Sequence, residues 1–137
     1  MREILYRGKR VGEGTWKYGS YVEQYGATQI YLRNGADEDG FDCYHVEPET
    51  VGQYTGLTDK NGKKIFEGDI CEVTTFTCEG EDKHYLCEVC FYCGSFVFRE
   101  RSSFNILFLD IYDFETDVEV IGNIYDNPEL IGGTDNA

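Results

Sequence analysis

The chain has 137 residues, 41% hydrophobic and 15% aromatic, which is long enough to bury a core and too aromatic for a disordered segment. Its net charge of −14 argues against direct contact with DNA or RNA, where affinity rests on Lys and Arg neutralising phosphates. No apolar run reaches the roughly 18 residues of a membrane span, and the N-terminus lacks the continuous apolar stretch of a signal peptide. The expected setting is therefore a cytoplasm where thiols stay reduced.

Strand signals dominate, with Tyr, Phe, Val, Ile and Thr in short runs broken by Gly, Asn and Asp. In chain order, strands are expected at Ile4–Tyr6, Thr15–Tyr18, Tyr21–Gln24, Thr28–Leu32 and Asp42–Val46. The polar run 34–40 is a loop, and Pro48-Glu49-Thr50 starts a helical turn that should not extend past Tyr54. Asn61-Gly62 favours a chain reversal, and Gly68-Asp69 a corner fixed by a side-chain to backbone hydrogen bond. A strand from Ile70 to Phe76 follows, then the clearest alternating segment, His84–Tyr92. That segment places Tyr85, Cys87, Val89 and Phe91 on one face. Phe96–Glu100, an apolar run over Asn105–Phe114 and Val118–Tyr125 complete the strands, with a short helix as the rival reading of 105–114.

Meandering short strands after a sharp corner suit a small, bent barrel. The expected fold is mainly β: a smaller N-terminal β subdomain over residues 1–65, packed on an SH3-like, partly open barrel over 66–131. Residues 132–137 form a loose tail.

Several ordered segments carry a resemblance. They are Met1-Arg2-Glu3 with Arg7-Gly8, the run Gly14–Gly19 (GTWKYG), the run Glu47–Gly62 (EPETVGQYTGLTDKNG), Ile65–Ile70 (IFEGDI) and Val120–Leu130 (VIGNIYDNPEL). Together they resemble the YopX family, small proteins encoded by phages and prophages of bacteria. The resemblance implies a mainly β fold, a bacterial host cytoplasm and an unassigned biochemical role, and it supplies no catalytic residues. Residues 77–118 carry none of these motifs.

Acidity gathers in the second half: residues 1–68 carry nine Lys/Arg against eleven Asp/Glu, residues 69–137 three against fifteen. Asp110, Asp113, Glu115, Asp117 and Glu119 form an acidic run. Its ordinary role is a solvated edge that discourages edge-to-edge pairing. The leading functional reading is a non-catalytic binding module whose acidic face meets an unidentified, basic protein partner. Self-association into a homo-oligomer is also expected. A carboxylate- or metal-dependent hydrolase is the alternative, since paired carboxylates act as acid and base or hold divalent cations.

Cys87, Cys90 and Cys93 have the spacing of zinc ligands, with Cys43, Cys71, Cys78, His45 and His84 available to complete a set. On a strand, however, Cys87 and Cys93 share one face and Cys90 the other, so structural thiols are the leading reading and a zinc-stabilised domain the alternative. No cofactor is expected. Trp16, Tyr18, Tyr21, Tyr25 and Tyr31 read first as core and second as an exposed contact face.

Overall fold

β-Branched and aromatic runs separated by glycine turns give antiparallel strands throughout the computed structural model, which describes residues 2–76, 78–101, 106–110 and 116–131. The chain divides into two compact units, Met1–Gly56 and Leu57–Ala137. The hairpin at 59–66 thus belongs to the second unit, ahead of the 65/66 division read from the sequence.

In the first unit, β1 (Tyr6–Lys9), β2 (Trp16–Gln24), β3 (Ala27–Tyr31), β4 (Cys43–His45) and β5 (Gly52–Thr58) lie in the order β4-β3-β2-β1-β5. All the registered pairs are antiparallel. The sequence splits β2 at Gly19, whereas the structure carries one strand straight through it. Gly19 stands opposite Tyr6 of β1, and the next residue, Ser20, opposite Tyr31 of β3. A Cβ at Gly19 would fall on the Tyr31 carbonyl oxygen. The glycine therefore allows three strands to run close together, instead of breaking one.

Tyr25 and Gly26 link β2 to β3 with φ of 53° and 78°. Two positive φ values in a two-residue loop are the type I′ pattern that suits strand twist. A single 3₁₀ turn covers Pro48–Thr50, as expected from the proline. Thr50 is buried there; its hydroxyl donates to the Glu47 carbonyl (2.6 Å) and accepts the Lys9 N–H (2.9 Å).

The second unit begins at Leu57, within β5, and contains β6 (Lys64–Phe66). It also holds a sheet of β7 (Asp69–Thr75), β8 (Lys83–Tyr92), β9 (Ser95–Arg101), β10 (Ile106–Asp110) and β11 (Thr116–Asn123). The sheet order is β10-β9-β8-β7-β11. Its core side joins Ile65, Cys71, Val73, Cys87, Val89, Phe98 and Val120, so the alternation read from β8 sets which face is buried. Phe91 is 56% exposed at the end of that face, packing edge-on against Phe96 at 5.2 Å between centroids.

The expected SH3-like barrel is not confirmed. β10 and β11 are the two edges of an open order, and among the described residues they do not pair to close a ring. Part of the apolar run at 105–114 is a strand, Ile106–Asp110, and its remainder lies outside the described residues. Among the described residues no helix is long and apolar enough to cross a membrane.

Two carboxylates organise this unit. Asp59, 7% exposed, accepts the N–H groups of Asn61 and Lys63 on Oδ1 and of Val120 on Oδ2, each at 2.9 Å. Burial pushes its pKa up, but the three donors, Val120 first, outweigh burial and leave it below the ordinary value. Asp69, 2% exposed, accepts the Phe66 N–H at 2.7 Å and fixes the Gly68-Asp69 corner, as the sequence suggests.

Candidate functional site

The acidic face of the second unit follows from strand register. Glu119 on β11 stands directly opposite Glu72 on β7, and Asp117 opposite Thr74. Side chains two apart share a face, so Glu72, Asp117 and Glu119 line the side of the sheet away from Val73, Cys71 and Val120. Like charges directly across a strand pair repel. Lys60, 3.5 Å from Glu119, relieves part of that repulsion, though both side chains are largely in water. Leu86, opposite Glu72, and His84, opposite Thr74, extend the face onto β8. Thr74 Oγ1 and His84 Nδ1 are 3.0 Å apart.

Of the acidic run in the sequence, Asp117 and Glu119 reach this face, and Asp110 ends β10 opposite Val97. Asp113 and Glu115 lie outside the described residues. Glu72 was not legible as a member, because the turns between β7 and β11 put it 45 or more residues from its neighbours. Among the described residues no three His, Cys, Asp or Glu side chains converge to hold a metal ion.

The three clustered cysteines separate. Cys87 is buried in the core, Cys90 takes the opposite strand face, and Cys93 sits in the β8–β9 turn. The expected shared face of Cys87 and Cys93 fails because Cys93, at φ 51° beside Gly94 at 86°, has left the strand for a two-residue turn. Burial first, then the Glu100 carboxylate, pushes the Cys87 thiol up to about 12. Burial also raises Cys71 and Cys90. Protonated thiols of this kind are poor nucleophiles.

The first unit carries a different arrangement, in which cations lie over aromatic rings, with Arg7 and Tyr44 themselves buried. The Arg7 guanidinium is 4.6 Å from the Trp16 centroid, and Arg10 and Lys17 are 4.8 and 4.2 Å from that of Tyr44. Tyr18, Tyr21, Tyr25 and Tyr31 are 45, 38, 96 and 38% exposed, so these tyrosines form surface where the sequence favours core. Tyr18 and Tyr21 are three apart on β2 and so take opposite faces, and Tyr25 sits in the turn, so no single core face was encoded.

Asp37 anchors the 34–42 loop. Its carboxylate accepts from the Tyr44 hydroxyl, from Lys17 Nζ (3.1 Å) and from the Asp39 N–H (3.0 Å). The Tyr44 hydrogen bond first, then Lys17 and Asp39, overcome burial and hold the Asp37 carboxyl at about 2. A depressed carboxyl lends stability that is complete above the ordinary Asp value of about 3.9 and lost as pH falls towards the folded one. Asp37→Asn is accordingly expected to shift the amide resonances of residues 37–44 at neutral pH. Acidification of the wild type towards about pH 2 should reproduce the shift. Resonances indifferent to both changes would contradict this anchoring.

The comparisons with known proteins agree with this architecture. Residues 6–132 match the family described as YopX protein. The chain belongs to the YopX family. A solved structure, protein EF1440 from Enterococcus faecalis, is 21% identical with a TM-score of 0.54, over 96% of this chain and 99% of that one. That likeness is one of fold. Among curated proteins, none matches the chain. The YopX segments now have structural duties: Gly19 lets strands approach, Thr50 ties the 3₁₀ turn to β1, and Asp69 sets a corner. In the last segment, Asn123 Oδ1 accepts the N–H groups of Tyr125 (3.0 Å) and Asp126 (2.9 Å).

Proposed function

We propose that this YopX-family protein is a non-catalytic phage or prophage accessory protein that binds a basic protein partner through the acidic sheet face of its second unit. The observation that carries the reading is the direct opposition of Glu72 and Glu119, with Asp117 two residues along β11. Like charges set opposite one another weaken a sheet, and a basic surface laid over them turns that repulsion into attraction. Leu86 beside Glu72 gives the same face an apolar contact, 38% exposed. Thiols raised by burial, and carboxylates occupied by backbone donors at Asp59 and Asp69, favour binding over chemistry.

The test is charge reversal on the folded chain. Glu72 and Asp117 are both exposed, so Glu72→Lys with Asp117→Lys should alter stability by no more than about 0.5 kcal/mol for each surface change. Immobilised wild-type protein is expected to capture a basic protein from a bacterial host lysate, and the double variant to retain at least about tenfold less. Equal capture by the two proteins would refute the acidic face as the contact.

A further inference from the structure

A recess of about 440 Å³ opens in the first unit between the β1–β2 turn and the approach to β4. Its walls are Arg10, Val11, Phe41, Cys43, Tyr44 and His45. The volume falls within the range of small-ligand pockets, roughly 300–1,000 Å³. The two sides are tied by backbone: Arg10 bridges Val46, and the Val11 N–H donates to the His45 carbonyl at 3.0 Å. The recess is therefore held open by hydrogen-bonded chain on both sides.

Its chemistry is mixed. Phe41 meets Tyr44 edge-on at 5.9 Å between centroids, and Phe41 and Val11 remain 54% and 49% exposed. Arg10 lies against the Tyr44 ring, so its guanidinium plane is fixed at the edge of the apolar wall. One carboxylate already uses that position: Glu13 Oε2 sits 2.8 Å from Arg10 Nη1. The Glu13 side chain is 59% exposed, against 24% for Arg10, and it lies between Gly12 and Gly14. An exposed carboxylate on a short glycine turn is weakly held, and an incoming anion can take its place on the guanidinium.

We propose that this recess binds a small ligand of one or two flat rings bearing a single anionic group, the rings against the exposed Phe41 and Val11 and the anion on Arg10 in place of Glu13. The site shares no residue with the acidic face, and its success or failure does not depend on that reading. Two features set its selectivity. The flat rings find the exposed Phe41 ring and an exposed valine, which offer area and no hydrogen bonds. The anion finds a charged donor fork, which a neutral analogue cannot use without leaving its polar group poorly matched.

The matched probes are naphthalene-2-carboxylate and naphthalene-2-methanol, titrated into the full chain and followed by amide resonances. The carboxylate is expected to give saturable shifts at Val11, Cys43 and His45, and to bind about tenfold or more tightly than the alcohol, as one charge-assisted hydrogen bond implies. Arg10→Gln should bring the carboxylate down to the alcohol's affinity. Glu13→Gln should raise carboxylate affinity roughly threefold, by removing a competing surface ion pair, and leave the alcohol unchanged. Phe41→Ala, at an exposed position, should weaken both probes. If Arg10→Gln perturbs the fold, the opposite responses to Glu13→Gln and Phe41→Ala decide the matter. Equal binding of the two probes, shifts centred elsewhere, or tighter carboxylate binding with no response to Glu13→Gln would overturn the proposal.

Discussion

Replacing Asp59 by alanine is expected to lower the stability of the second unit by about 3 kcal/mol. The carboxylate accepts three backbone N–H groups, and one of them, from Val120, is buried. Hydrogen bonds to a charged acceptor contribute about 1.5–3 kcal/mol, and a buried donor left alone adds its own desolvation penalty. The loss should be felt at both ends of the link, because Asp59 joins its own turn to β11 across 61 residues. The Lys60 N–H, donating to the Val118 carbonyl at 2.9 Å, and the exposed Lys60–Glu119 ion pair are left to hold that junction from the turn side. Asp59→Asn should cost less, about 2 kcal/mol, since the amide keeps one oxygen but turns an NH2 towards a donor. Chemical denaturation followed by tyrosine fluorescence measures both.

The acid limb provides a separate check on Asp59. Its carboxyl is held below the ordinary value, so the stability it lends is complete above about pH 3.9 and disappears as pH falls through the lower folded value. The wild type should lose stability steeply over that interval, and Asp59→Ala should lose less. Identical acid limbs for wild type and variant would show that the three hydrogen bonds do not act as described.

Gly19→Ala is expected to cost the first unit roughly 3 kcal/mol, at the upper end for overpacking. The added methyl falls on the Tyr31 carbonyl oxygen and lies 3.3 Å from the Leu32 Cα, both backbone atoms that cannot rotate away. The β2–β3 ladder would have to separate where β2 also pairs with β1. Gly26→Ala is the informative comparison. It meets nothing within 4 Å but sits at φ 78°, so it should cost only the left-handed penalty, about 1 kcal/mol. Calorimetry should place the Gly19 variant on the order of 10 °C below wild type, with the Gly26 variant between them. A Gly19 variant no less stable than the Gly26 variant would show that the close approach is not real.

These two residues also illustrate what the sequence makes legible. Strand type is readable wherever alternation is strong, and β8 is the clearest case: Cys87 and Val89 are buried where the period of two places them. Turn chemistry is readable at Gly68-Asp69, whose carboxylate behaves as a corner-fixing acceptor. Glycine punctuation misleads at Gly19 and Gly8, which lie inside strands. Gly8 packs against Val46, 2.8 Å from where its Cβ would be. A glycine that admits a neighbouring strand and one that ends a strand look alike until the neighbour is known.

The candidate sites were less legible for the same reason. Glu72 joins Asp117 and Glu119 only through the β7–β11 register, and the recess wall unites residues 10–11 with 41–45 through a backbone bridge. Cys93 fell out of its expected set because it lies past the end of the strand, in a two-residue turn with a cysteine where asparagine is usual. Open rather than closed sheet order likewise depends on which edges meet, and short-range pattern does not encode that. The family segments were the most legible feature, and their residues prove to hold corners and strand approaches. Such residues identify a fold and leave its chemistry to other positions.

The most direct test of the acidic face is the salt dependence of what it holds. The full chain, immobilised and loaded with bacterial lysate at low ionic strength, should retain one basic protein in stoichiometric amount. Raising the salt to about 0.5 M shortens the Debye length to a few ångströms, and the partner should elute. A partner retained equally at both salt concentrations, or none retained at either, would contradict binding through Glu72, Asp117 and Glu119.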